Sequence, residues 1–187
     1  NKDVAVTIVE TDKWKCRNNQ IFGINMPIGT TRFKIRFADN MKYTLREMEI
    51  ADIEKIVKGE EEVFGNSLGY DMIYSDLTIN PYACYVVLEI DNEVNGYVGM
   101  WITDNMEIIN LYVNPKYQGM GFGDMIMDFV INLCESSNIQ NLSLEVRSSN
   151  EKAINLYKKH GLKQSHVREK YYDNKEIFQD NKTWRKE

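Results

Sequence analysis

Val113-Asn114-Pro115-Lys116-Tyr117-Gln118-Gly119-Met120-Gly121-Phe122-Gly123 joins a predicted strand, Met106 to Val113, to a predicted helix from about Gly121 to Ser137. Pro115 ends the strand because it has no N–H for a ladder. Glycines allow positive φ and let a ligand come close to the backbone. Successive amides in such a turn form a nest, and the helix N-terminus adds a partial positive charge. Together they make an anion site suited to a pyrophosphate. A helix start merely packed against a strand would use the same glycines, so the turn alone leaves the ligand open. The stretch lacks a Gly-Lys-Ser/Thr ending, which excludes a P-loop. It follows four strands instead of opening a βαβ unit, which disfavours a dinucleotide fold.

Upstream of the turn, Tyr43 to Met48 reads as a strand, Ala51 to Phe64 as a helix and Tyr70 to Thr78 as a second short helix. Tyr82 to Ile90 and Val94 to Thr103 read as a hairpin turning at Asp91-Asn92. Asp104-Asn105 leads into the strand Met106 to Val113. Downstream, Asn141 to Val146 alternates Leu142, Leu144 and Val146 with Ser143 and Glu145. Ser148 and Glu151 form a candidate capping box for a helix to about His160, and Gly161 stops it. Lys163 to Tyr171 and Glu176 to Trp184 read as a closing hairpin. The expected fold is an α/β (α+β) domain: a mixed, mostly antiparallel central sheet flanked by helices. Residues 41–187 form this domain. Residues 1–40 are an N-terminal extension of unknown role, with candidate strands Val4 to Val9 and Arg32 to Phe37 around a polar, turn-rich middle.

The pattern V-x-P-x-x-Q-x-x-G-x-G after a strand resembles the acetyl-CoA motif of the GNAT superfamily, with Gln118, Gly121 and Gly123 on its Q/R-x-x-G-x-G/A core. The resemblance implies that the amides of Gly119, Met120, Gly121, Phe122, Gly123 and Asp124 hold the CoA pyrophosphate. It also implies that Leu111, Tyr112 and Val113 pair with the pantetheine arm. Asp124 departs from the family, which often has a basic or small residue there. An acid beside a pyrophosphate weakens binding unless it points to solvent and interacts with the helix dipole.

A second stretch, Leu144-Glu145-Val146-Arg147-Ser148-Ser149-Asn150-Glu151-Lys152-Ala153-Ile154-Asn155-Leu156-Tyr157, resembles the L-E-V-R-x-S-N-x-x-A-I-x-L-Y signature of ribosomal-protein-alanine N-acetyltransferases (the RimI type) and their N-terminal acetyltransferase relatives. Arg168-Glu169-Lys170-Tyr171-Tyr172 is similar to that family's R-x-x-Y-Y element. The resemblance runs from about Met41 to the C-terminus and omits residues 1–40. It implies acetyl-CoA as co-substrate and a ribosomal protein N-terminal peptide as partner.

Acyl transfer from a thioester needs a neutral amine, a polarised carbonyl and a protonated leaving thiol. A peptide α-amine has a pKa of about 8, so a carboxylate can take its proton through water. Glu145 stands in an apolar-alternating strand, where a charge is costly unless exposed or used. The resemblance makes it the general base; the alternative is a solvated or paired strand residue. Asn150 and Tyr157 share a helix face about 10 Å apart. Asn150 is placed to cap the helix or to bond the CoA arm. Tyr157 alone reads as a core aromatic; the resemblance makes it the general acid that protonates the thiolate. A backbone amide near Tyr112 or Val113 would meet the oxyanion. Tyr171 and Tyr172 would border the peptide channel; otherwise they are hairpin packing residues. Phe64-Gly65-Asn66-Ser67-Leu68-Gly69 stands where the family carries a Pro-Trp-Ser loop lining the acceptor site, and Ser67, Leu68 and Gly69 depart from it.

The 187 residues suffice for one domain with a good core. Cys16, Cys84 and Cys134 lack metal-ligand spacing, so no metal is expected. No cysteine lies in the motifs, which argues for direct attack without an acyl-enzyme. No apolar run approaches a membrane span, and no basic-then-apolar signal begins the chain, so a cytoplasmic protein with no membrane partner is expected. The formal charge of -5 divides into +3 over residues 1–40 and -8 over residues 41–187. An acidic domain argues against direct nucleic-acid binding and tolerates a basic peptide. Nothing in the sequence specifies an oligomeric state. Two alternatives stand beside the preferred reading: a GNAT enzyme acting on a lysine or small-molecule amine, and a non-catalytic acyl-CoA-binding module.

Overall fold

The computed structural model describes residues 41–164, together with backbone at 4–5, 32–33, 165–168 and 181–186. Val4–Ala5 (β1) and Arg32–Phe33 (β2) pair antiparallel, and the rest of the two candidate N-terminal strands lies outside the described residues. From Tyr43 the elements follow the expected order. They are β3 (Tyr43–Glu47), α1 (Ile53–Phe64), α2 (Tyr70–Thr78), β4 (Ala83–Ile90), β5 (Glu93–Ile102) and β6 (Met106–Val113). Then come α3 (Phe122–Ser136), β7 (Leu142–Arg147), α4 (Glu151–Lys159), β8 (Lys163–Arg168) and β9 (Asn181–Lys186). A 3-10 turn, Ile50–Asp52, leads into α1 where the sequence pattern begins the helix. Asp91 and Asn92 both take positive φ, 52° and 65°, as a tight hairpin turn requires.

Among the described residues, seven strands make one sheet in the order β3-β4-β5-β6-β7-β9-β8. Every neighbouring pair is antiparallel except β6 and β7, which α3 connects. A parallel pair needs such a crossover, and here a helix supplies it. The expected closing pair is met where it is described: β8 (Lys163–Arg168) pairs antiparallel with β9 (Asn181–Lys186), which lies between β7 and β8. Residues 169–180 of the expected hairpin lie outside the described residues.

Alternation along the strands divides the interior into two clusters. Val86, Leu88 and Ile90 of β4 face Phe122, Ile126, Phe129 and Val130 of α3 and Ile154 of α4. Tyr85 and Val87 face the opposite way, toward Ile53 and Ile56 of α1 and Ile73 of α2. Full burial of an aliphatic or aromatic side chain of this size is worth about 1.5–3 kcal/mol. The sheet is therefore sandwiched, with α3 and α4 on one face and α1 and α2 on the other. Among the described residues, no helix is long and apolar enough to cross a membrane.

Two irregularities position the site. Gly99 of β5 pairs with Asn110 and Met100 with Ile108, so Ile109 is an extra residue in β6. A bulge of this kind bends a strand and reverses which side chains face which side. Before it Met106 and Ile108 point to the α3 side; after it Leu111 and Val113 do, and Tyr112 turns toward α1. The parallel ladder between β6 and β7 ends at the same level, with Ile108 opposite Leu144. Beyond that pair the two strands part, and residues 109–113 and 145–147 no longer ladder with each other.

Candidate active site

The glycine turn lies past the parting of β6 and β7. Asn114 caps a 3-10 turn, Pro115–Tyr117, by accepting the Lys116 amide at 3.0 Å. Gln118 Nε2 donates to the Val113 carbonyl at 2.9 Å, so its side chain closes the turn against the end of β6. Tyr117 and Phe122 pack edge to face at 6.2 Å beneath the loop, and Tyr43 meets Phe122 at 5.4 Å. Gly119 and Gly121 take φ of 76° and 99°. Gly121 is the N-cap of α3 and provides no side-chain cap. The first helical bond runs from Met125 N to Gly121 O at 3.0 Å. The amides of Phe122, Gly123 and Asp124 thus have no carbonyl a turn back to bond, at the positive end of a 15-residue helix.

Asp124 neither faces this concave turn nor stands free in solvent. Its Oδ1 lies 2.8 Å from Lys159 Nζ and 2.9 Å from His160 Nε2, at the C-terminal end of α4. Burial raises its pKa, but the bonds from Lys159 and His160 outweigh that and hold the carboxyl below its ordinary value. His160 Nδ1 lies 3.3 Å from Asp128, one turn further along α3. The acid that departs from the family pattern is a rivet between α3 and α4.

Of the two caps offered by the sequence for α4, the Ser148–Glu151 box and Asn150, the cap is Asn150: its Oδ1 accepts the Ala153 amide at 3.2 Å. Asn150 directly precedes the first helical residue, and only there does a side chain reach the free amides of the first turn. Seven residues on, Tyr157 is 5% exposed within the α3/α4 cluster, and burial raises its pKa.

Glu145 is half-buried on β7 between Leu144 and Val146, which belong to the α3/α4 core. It therefore belongs to the α1/α2 face. Arg147, two residues on, shows where that face leads: it bonds the Phe64 carbonyl at 3.0 Å and Asn66 Oδ1 at 2.8 Å. The α1–α2 connection thus lies beside the splayed end of β7. Tyr112, on β6, packs edge to face with Phe64 at 6.4 Å. Its hydroxyl is seated against Gly59, where a Cβ would stand 2.0 Å from the oxygen. Leu111 and Val113 face the α3 cluster. Tyr171 and Tyr172 lie outside the described residues.

Two buried carboxylates on the α1/α2 face were not singled out from sequence. Glu60, 0% exposed, accepts from the Tyr97 hydroxyl, Asn110 Nδ2 and the Leu68 amide. Burial raises its pKa, and these three bonds only partly offset the shift. Asp76 accepts from the Tyr85 hydroxyl at 2.7 Å, Trp101 Nε1 at 2.8 Å and Asn80 Nδ2 at 2.9 Å. The available signal was a charge inside an apolar helical stripe: Glu60 continues the face of Ile53 and Ile56. Among the described residues, no group of His, Cys, Asp or Glu is arranged to hold a metal.

Residues 50–162, more than half of the chain, match the acetyltransferase (GNAT) family. The chain belongs to that family. It is a GNAT N-acetyltransferase, and the parting strands, glycine turn and helix start lie within the matched span. A Bacillus subtilis (strain 168) protein, whose name proposes it as a ribosomal protein bS18-alanine N-acetyltransferase, is 38% identical over 132 residues; the match covers 70% of this chain and 87% of the relative. The Escherichia coli ribosomal-protein-S18-alanine N-acetyltransferase has the same fold, with a TM-score of 0.70 at 22% identity over 78% of this chain and 93% of that one. Arabidopsis thaliana Naa50, in complex with the bisubstrate analogue CoA-Ac-MVNAL, matches at a TM-score of 0.67 and 19% identity over 78% and 98%.

Proposed function

We propose that this GNAT enzyme transfers acetyl from acetyl-CoA to the α-amine of a protein N-terminus, its acceptor being an alanine-starting ribosomal protein. One observation carries the reading: β6 and β7 part beyond Ile108 and Leu144, with Glu145 the next residue of β7 on the α1/α2 side and Tyr157 in the core on the α3/α4 side. The alanine acceptor is supported by the names of the Bacillus and Escherichia relatives. Residues 41–187 are taken as the catalytic domain and 1–40 as an extension of unassigned role.

The orphan amides of Phe122 to Asp124, with those of Gly119 to Gly121, fit a pyrophosphate, and Asp124 is turned away onto Lys159 and His160. Gln118 acts by shaping the turn. Leu111, Tyr112 and Val113, past the end of the ladder with β7, would pair with the pantetheine arm, which would have to replace the bond from the Leu111 amide to Asn110 Oδ1. Asn150, the cap of α4, would bond the arm from the other side. In the reaction, Glu145 takes the proton of the α-ammonium through water. The neutral nitrogen bonds to the thioester carbonyl carbon, and an amide near Tyr112 or Val113 meets the oxyanion. The C–S bond then breaks, and Tyr157 donates its proton to the sulfur. The second proton leaving the nitrogen passes through water to restore the phenol, so the products are the amide, the free thiol and one proton held by Glu145. Burial raises the tyrosine pKa, which keeps the phenol protonated at neutral pH and also makes it a weaker acid toward the thiolate. Tyr171 and Tyr172 would border the peptide.

The test is a panel of acceptors read by thiol release. Alanine-starting peptides should be turned over, and N-blocked peptides bearing lysine should not. Equal or better turnover of lysine acceptors would replace this reading with side-chain acetylation. CoA binding without thiol release from any acceptor would point to a binding module.

A further inference from the structure

The connection between α1 and α2 is gripped from two sides. At its start, Arg147 on β7 donates to the Phe64 carbonyl at 3.0 Å and to Asn66 Oδ1 at 2.8 Å. At its end, Glu60 Oε2 accepts the Leu68 amide at 2.9 Å, while Oε1 accepts from Asn110 on β6 and Tyr97 on β5. Each of the two strands that part therefore holds the connection, β7 directly and β6 through Glu60. The segment needs holding. Gly65 and Gly69 bracket it at φ of 76° and 86°, and residues 64–69 contain no proline to stiffen them. Buried and charge-assisted bonds can supply rigidity instead.

We propose that Arg147 and Glu60 are positioning residues that hold residues 65–68 as a wall of the acceptor site. Arg147 governs peptide binding through this wall and does not touch the peptide. The proposal rests on the acceptor reading given above.

The test uses the full chain and the variants Arg147→Met, Asn66→Ala and the pair, with two readouts. Hydrogen exchange of the 66–68 amides in the protein alone reports the wall. KM for an alanine-starting peptide, beside acetyl-CoA affinity, reports its use. Loss of a charged hydrogen bond predicts that Arg147→Met accelerates exchange and raises peptide KM by about tenfold, with acetyl-CoA affinity unchanged. Asn66 is exposed, so Asn66→Ala leaves the fold intact. It should raise KM by about threefold, and the pair should match Arg147→Met alone, because both act on one interaction. Should Arg147→Met fail to fold, Asn66→Ala alone must still move exchange and KM together. Unchanged exchange with additive KM effects would mean that Arg147 touches the peptide, which overturns the proposal. Altered exchange in an enzyme that acetylates no peptide α-amine would overturn the acceptor reading and leave the wall standing.

Discussion

The two faces of the sheet are built from different materials. Under α3 and α4 the interior is almost wholly aliphatic and aromatic, with Tyr43, Tyr117 and Tyr157 bringing the phenolic oxygens. Under α1 and α2 the cluster is smaller and wraps two buried carboxylates, Glu60 and Asp76, among Tyr85, Tyr97 and Tyr112. A buried carboxylate is costly unless donors surround it, and here each accepts from three. A satisfied polar network fixes geometry more sharply than apolar contact does. On the proposed function, the α3/α4 face needs only shape and backbone amides to hold a nucleotide arm, while the α1/α2 face places a peptide and removes a proton with these directional bonds.

The comparison breaks most readily at Glu145. With Glu145→Gln, turnover of an alanine-starting peptide should fall by ~10²–10⁴ at pH 6, the usual worth of a general base. The deficit should shrink toward pH 9.5, because above the α-amine pKa of about 8 the substrate arrives neutral. A deficit constant across pH and confined to KM would make Glu145 a peptide-binding residue instead. On the other face, Tyr157→Phe should lower turnover by about 10² at every pH from 6 to 9.5, since its raised pKa keeps the wild-type phenol protonated throughout. Acetyl-CoA affinity should barely change; a wild-type rate would reduce the tyrosine to a packing residue.

A smaller effect is expected at the turn. Gly121→Val puts a β-branched residue at φ of 99° and moves the amides, so CoA affinity by calorimetry should fall by about tenfold or more. An unchanged affinity in a folded variant would remove this turn from the site. The smallest concerns Asp124. Its folded pKa is depressed, so its stabilising contribution is present above the unfolded carboxylate value of about 3.9 and lost as pH falls through the folded value. Asp124→Asn should lower Tm by about 2–4 °C at pH 7, the scale of a partly solvent-screened pair, with the gap closing below about pH 4. A gap that persists in acid would mean the rivet is not ionic.

Local pattern carried much of this architecture. Periodicity placed α2 at Tyr70–Thr78 and β6 at Met106–Val113, and Asp91-Asn92 marked its own turn. Those signals depend on neighbours a few residues apart. The features that shape the site do not. The bulge at Ile109 depends on register against β5, and the parting of β6 and β7 depends on where a parallel ladder stops. Asn110 meets Glu60 across 50 residues and Arg147 meets Phe64 across 83, separations that no local periodicity records. Asp124 was unsettled from sequence because its partners, Lys159 and His160, lie on another helix. The cap of α4 was left between two candidates because Ser148 and Asn150 are both good caps, and the fold decides for Asn150.

On the proposed function, donor and acceptor approach from opposite faces and meet where β6 and β7 part. A crystal structure with CoA joined through an acetyl bridge to an alanine-starting peptide tests it most directly. The expected result has the pyrophosphate on the amides of Gly119 to Asp124, the sulfur on the Tyr157 side, and the alanine nitrogen on the Glu145 side beneath residues 65–68. A peptide lying along α3, or a CoA moiety that avoids the gap beyond Ile108 and Leu144, would contradict the account.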